Sequence, residues 1–179
     1  GTIPTGTNAG NYTVYWYVAG NTNYSSKSGS VTVTINKYNL SNATIASVSS
    51  QTYTGSQIKP TPAVTVPLPS GSSSTLTVTT DYTYSYSNNT NAGTATVTVT
   101  GTGNYTGTKT TTFTISKKGN PISVTANTLT YNKAAQALVT VSGAQGNVCY
   151  STSTAVTSCS SAGTIPTGTN AGNYTVYWY

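Results

Sequence analysis

Two cysteines, Cys149 and Cys159, stand ten positions apart in the stretch CYSTSTAVTSC. Ten residues is a hairpin distance, so their Cα atoms can come within bridging range. Oxidation there would close a short loop and add about 2–3 kcal/mol of stability. The alternative is a pair of buried free thiols behaving as small hydrophobes. The spacing of a redox motif is absent. Beyond the cysteines the chemical inventory is sparse. The chain has seven Lys, no Arg, no His and a single acid, Asp81. General acid–base catalysis, a nucleophilic triad and a glycosidase dyad each need at least a second titratable partner. A zinc or calcium cage needs clustered Cys, His or carboxylates. The sequence therefore predicts no catalytic residue, no cofactor and no metal, and the chain is not expected to be an enzyme. Asp81 opens DYTYSYS and reads as a turn or capping residue.

The aromatic residues are the remaining candidates. Tyr15, Trp16 and Tyr17 are consecutive in NYTVYWYV. In a strand, Tyr15 and Tyr17 share one face and Trp16 takes the other. Trp16 is expected in the core, and Tyr15 and Tyr17 are the aromatics that would contact a sugar or a partner surface. The net charge of +6 does not point to nucleic acid, because the lysines are scattered and no Arg reads a base or phosphate. Apolar runs fall well short of the roughly 18 residues of a membrane-spanning helix, so no membrane insertion is expected. The chain lacks an initiator Met and a signal-peptide pattern, and reads as an internal or mature segment.

Strands must position these residues. Alternation of apolar or aromatic residues with Thr and Ser runs through YTVYWYV (12–18), SVTVTI (30–35), TLTVTT (75–80), YTYSYS (82–87), TATVTVT (94–100), TTTFTI (110–115) and ALVTVS (137–142). Such alternation predicts strands, and apolar periodicity at helical spacing is missing. Gly, Asn and Ser clusters such as LPSGSSS, SNNTNAG and GTGNYTGT supply the turns. Many short strands joined by turns predict an antiparallel sandwich or barrel. Charged residues are 4% of the chain, but 15 Tyr with many Val and Thr argue for half-buried strands rather than disorder.

The chain repeats itself. GTIPTGTNAGNYTVYWY occurs at 1–17 and again, unchanged, at 163–179, a period of 162 residues. A weaker repeat lies inside this one. NAGNYTVYWYVAGNTNYSSKSGSVTVTI (8–35) aligns with NAGTATVTVTGTGNYTGTKTTTFTI (91–115), and NTLTYNKAAQAL (127–138) aligns with SQTYTGSQIKP (50–60). Two related module types follow. Residues 37–117 form a complete type B module. Residues 1–36 are the C-terminal half of a type A module, and 118–179 are the N-terminal part of the next one. Joined in the order 118–162 then 1–36, without the duplicated 163–179, type A has 81 residues, as type B has. The chain thus reads as one A–B period of an array, plus an overlap.

These segments, IPTGTNAGNYTVYW and QTYTGSQIKPTPAVTV together with NAGTATVTVTGTGNYTGTKTTTFTI, resemble tandem repeats of large bacterial surface proteins and adhesins, of the bacterial immunoglobulin-like and MBG/YDG types. The resemblance covers nearly the whole chain. It implies all-β modules, either immunoglobulin-like antiparallel sandwiches or β-grasp-like units, strung as stalks at the cell surface. The absence of a helix pattern favours the sandwich. NAGNY also has the spacing of a tyrosine corner, which assigns that role to Tyr12 and Tyr174; type B has Ala95 at this position. Pilus-like modules of this kind often carry Lys–Asn isopeptide bonds promoted by a buried acid, for which Asp81 is the sole candidate. The expectation is an extracellular spacer without catalytic role, whose partners are copies of itself. The alternative is an adhesin module that grips cell-surface glycans through Tyr15 and Tyr17.

Overall fold

A computed structural model describes residues 2–68 and 71–179, and divides into two compact units, Gly1–Lys118 and Gly119–Tyr179. Among the described residues the chain is nearly all β, with one short 3₁₀ turn at Leu40–Asn42. Residues 69 and 70 of the predicted turn LPSGSSS lie outside the described residues.

The first unit opens with a hairpin of β1 (Gly10–Val18) and β2 (Lys27–Ile35), paired antiparallel along their whole lengths from Gly10↔Ile35 to Val18↔Lys27. The rest of the unit comprises β3 (Tyr38–Asn39), β4 (Thr44–Ile45), β5 (Gln51–Thr52), β6 (Val64–Pro67), β7 (Ser73–Thr75), β8 (Tyr82–Ser87), β9 (Gly93–Gly101), β10 (Tyr105–Thr106) and β11 (Thr108–Ser116). One sheet runs β5-β11-β9-β8 and a second runs β4-β6-β7. Not every ladder is antiparallel as the sequence suggested. β11 pairs with β5 in parallel, as does β10 with β3.

The core of residues 37–118 follows from alternation. Ala95, Val97 and Val99 of β9 are buried, and so are Phe113 and Ile115 of β11, while the intervening Thr side chains face out. Val64 and Val66 of β6 alternate in the same way and pack with Val99, Tyr82, Leu40, Ala43 and Leu76. The two sheets meet through this cluster, while Ala95, Val97, Phe113 and Ile115 form a second one with Val48, Ile58, Tyr84 and Tyr86 packed against it. TLTVTT (75–80) does not form the predicted strand. The Asp81 carboxylate accepts a hydrogen bond from the Thr77 amide at 2.8 Å, and Thr79 takes a positive φ of 71°. This local side-chain bond wins over the sheet ladder.

The second unit is less knitted. It contains β12 (Ser123–Ala126), β13 (Gln136–Ala137), β14 (Val139–Ser142), β15 (Tyr150–Ser151), β16 (Thr167–Gly168) and β17 (Tyr177–Trp178). They form three two-stranded ladders, β12-β14, β13-β16 and β15-β17. Among its described residues, the buried hydrophobics are Leu138 and Val139.

Candidate functional site

The cysteines are joined. Cys149 and Cys159 form a disulfide across a Cα–Cα distance of 5.5 Å, closing a loop that includes β15. Such a bond persists in an oxidising compartment. Among the described residues, no cluster of His, Cys, Asp or Glu assembles a metal-ion site, and no helix is long and apolar enough to cross a membrane.

The aromatic triplet sits on the β1–β2 hairpin. Tyr15 and Tyr17 are 80% and 67% exposed and stand opposite Ser30 and Ser28 on the Thr/Ser face. Trp16 is on the other face but is not a core residue, being 40% exposed. Its indole packs against Gly29, where an added Cβ would come within 2.6 Å of the ring. Val31 and Val33 share this apolar face and are also about half exposed. The hairpin thus carries an apolar stripe without a complete core beneath it.

Tyr12 donates its hydroxyl to the Asn8 carbonyl at 2.7 Å, and Tyr174 donates to the Asn170 carbonyl at 2.8 Å. The ring of each covers a glycine. A Cβ on Gly6 would meet the Tyr12 ring at 2.9 Å, and one on Gly168 would meet Tyr174 at 2.8 Å. The same local geometry therefore forms in both copies of the repeated segment. Type B solves the same corner differently. Ala95 replaces the tyrosine, and the glycine position holds Asn89, which is buried and donates its amide to the Ile58 carbonyl at 3.0 Å. The neighbouring strand compensates as well: Tyr12 faces Val33 in the hairpin, whereas Ala95 faces Phe113 in type B. Small and large residues have exchanged sides at nearly constant volume, which close packing demands. The alignment of 8–35 with 91–115 already contained this signal.

Three further features escape a reading of motifs. First, Tyr82 and Tyr86 of β8 each donate a hydroxyl to the Pro62 and Pro60 carbonyls at 2.6 Å. Pro60-Thr61-Pro62 lies beside β8 without a regular ladder, so its carbonyls need side-chain donors. Burial, and then the neighbouring Tyr84, push the pKa of both hydroxyls up. Second, Lys109 donates its ammonium to the Ser41 carbonyl at 3.0 Å and also to that of Ala43. It caps the 3₁₀ turn, while Asp81 closes its own turn at Thr77. Third, Asn104 bridges the hairpin to the rest of the unit. Its side-chain oxygen accepts from the Ala9 amide at 2.8 Å, and its amide donates to the Asn8 side chain at 3.1 Å. Asn104 belongs to the B turn GTGNYTGT, and Asn8 and Ala9 belong to the A corner.

The chain matches no family model, no curated protein and no solved structure.

Proposed function

We propose that this chain is one period of an extracellular filament or adhesin stalk, built from alternating A and B modules of immunoglobulin-like sandwich type, and that its work is spacing rather than catalysis. The observation that carries the reading is the exact recurrence of residues 1–17 at 163–179, with the same tyrosine return in both copies. A segment that rebuilds its own corner in two settings is what a tandem array needs. Three observations add support. Residues of consecutive modules are pinned together by Asn104, Asn8 and Ala9, which limits hinge freedom between them. Val64 and Val66 of β6 pack with Val99 of β9, so the two sheets of type B touch through an apolar cluster. The disulfide suits an oxidising exterior. The resemblance to bacterial surface repeats agrees with this reading.

The test is the mass of native material after boiling in denaturant and reductant. A species far above 18.4 kDa is the expected outcome and means a covalent array. A single-period species that stays monomeric under native conditions would overturn the reading.

A second reading, glycan or cell binding, draws on one feature: Tyr15 and Tyr17 project from the wet face of the hairpin at 80% and 67% exposure. Exposed aromatic rings of this kind offer a stacking surface. Y15A and Y17A variants that lose cell or glycan binding while keeping their unfolding midpoint would favour it.

A further inference from the structure

The connection between β8 and β9 forms an open cup of about 530 Å³, walled by Gln57, Tyr86 and residues 87–94. It lies wholly within type B. Asn89 builds it. Asn89 is 5% exposed, its Nδ2 donates to the Ile58 carbonyl at 3.0 Å, and its own backbone carbonyl accepts from the Ile58 amide at 2.8 Å. This reciprocal pair holds the chain at residue 58 against the loop and so keeps Gln57 in the wall. The Asn89 Oδ1 accepts from no described residue. It is not sealed away either, because among the described residues no sealed side-chain oxygen or nitrogen lacks a partner. A nearly buried amide therefore presents a fixed acceptor to the cup.

Around it stand groups with no structural bond to make. The side chains of Gln57, Asn88 and Asn91 and the hydroxyls of Ser87, Thr90 and Thr94 form no hydrogen bond with any described residue. Asn88 has a backbone reason to be there, a positive φ of 55°, which Asn tolerates. No such reason applies to Gln57 or Asn91. By the repeat alignment, Asn88, Asn89 and Asn91 correspond to Thr5, Gly6 and Asn8 of type A. There the Tyr12 ring covers Gly6, and the Asn8 side-chain oxygen accepts from Asn104. Type A fills this corner with a ring and a joint, whereas type B leaves its amides open.

The wall selects the class of ligand. None of its residues is charged, so neither an anion nor a cation finds a counter-charge to offset its desolvation. Tyr86 contributes one half-buried ring, its hydroxyl already engaged with the Pro60 carbonyl, so an extended apolar ligand finds little to cover. Each amide offers two donors and an acceptor, and each hydroxyl both donates and accepts. The complement is a molecule whose own hydroxyls donate and accept and whose C–H groups can meet one aromatic ring. We propose that the cup binds one neutral hexopyranose ring, with Asn89 Oδ1, Gln57 and Asn91 bonding its hydroxyls and Tyr86 meeting its C–H face. The inference goes beyond the spacer reading and does not rest on it. It differs from binding through Tyr15 and Tyr17 both in place and in chemistry.

Side-chain amide NMR of the full disulfide-bonded chain tests the cup. D-glucose, D-galactose, D-mannose and N-acetyl-D-glucosamine are titrated separately to about 100 mM, a range suited to the weak affinity of an open site. At least one is expected to shift the NH₂ signals of Gln57, Asn89 and Asn91 saturably while that of Asn127 stays in place. Gln57→Ala and Asn91→Ala remove exposed side chains that hold nothing in the fold. Each should keep the unfolding midpoint and weaken binding by about 3–10-fold, the loss of one hydrogen bond. Y15A and Y17A should leave binding unchanged. The methyl glycoside of the sugar that binds separates two sources: retained binding supports a residue within a glycan chain, and lost binding supports a free sugar. Absence of saturable shifts with all four sugars overturns the proposal. So do shifts that survive both Gln57→Ala and Asn91→Ala, or shifts that vanish in Y15A or Y17A. None of these outcomes touches the mass of the native material, so the spacer reading stands or falls separately.

Discussion

Replacing Tyr82 with Phe isolates the bond that ties β8 to the proline segment. The Tyr82 ring is 2% exposed, and its hydroxyl donates to the Pro62 carbonyl at 2.6 Å. Pro62 is itself fully buried, so water cannot take the place of the lost donor. Phe keeps the ring and its packing and removes one oxygen. The cost is then that of a buried carbonyl left unpaired, about 1–3 kcal/mol, and full burial puts the expectation near 2. For a module of about 80 residues that is a drop of roughly 8–16 °C in the melting temperature. Tyr86→Phe is the control. Its bond to the Pro60 carbonyl is equally short but only partly buried, so water can substitute and the cost should be about 0.5–1.5 kcal/mol. Native-state hydrogen exchange at the Val97 and Val99 amides of β9 reads the opening free energy of this core without interference from the second unit. A Tyr82→Phe effect below about 0.5 kcal/mol, or one smaller than that of Tyr86→Phe, would refute the reasoning from burial.

Alkaline pH should unfold residues 37–118 selectively. Burial raises the pKa of Tyr82, Tyr86 and Tyr105, with Tyr84 adding to the first two and Asp81 then Tyr38 adding to the third. The folded state thus holds these protons more tightly, so their contribution is intact below the ordinary tyrosine pKa of about 10 and is lost as pH rises above it; urea midpoints taken from pH 7 to 12 should stay level and then fall. Reduction of Cys149–Cys159 should lower the stability of the second unit by about 2–3 kcal/mol and leave exchange in β9 unchanged, as denaturation with and without reductant will show. Gly168→Ala places a Cβ 2.8 Å from the Tyr174 ring and 2.9 Å from Leu138. The expected loss is about 1–3 kcal/mol from overpacking, visible as faster exchange around Leu138, and an unchanged exchange rate would show that the ring moves aside freely.

Much of this architecture was legible because strand alternation is a local signal. The buried sets Ala95, Val97, Val99 and Phe113, Ile115 are every second residue of their strands, and the four long strands β1, β2, β9 and β11 extend the predicted segments by no more than three residues at either end. The cysteine pair was legible because ten residues restrict where two side chains can go. TLTVTT failed because one side chain, Asp81, offered the backbone a competing bond. Trp16 was misjudged as a core residue because periodicity assigns a face and says nothing about what covers it. The parallel pairing of β5 with β11 joins residues more than sixty positions apart, and alternation carries no record of direction.

The repeated segment separates the two sources of information most cleanly. In both copies the sequence alone determined the corner. Tyr12 and Tyr174 return to a carbonyl four residues upstream, and Gly6 and Gly168 lie under the rings. These contacts span few residues and need no outside partner. What the strand after the corner does was decided elsewhere. As Gly10–Val18 it forms a nine-residue ladder with β2, whereas its second copy keeps two ladder pairs, on β15. Identical residues accept either neighbour, because a strand satisfies its hydrogen bonds only through chain that lies distant in sequence.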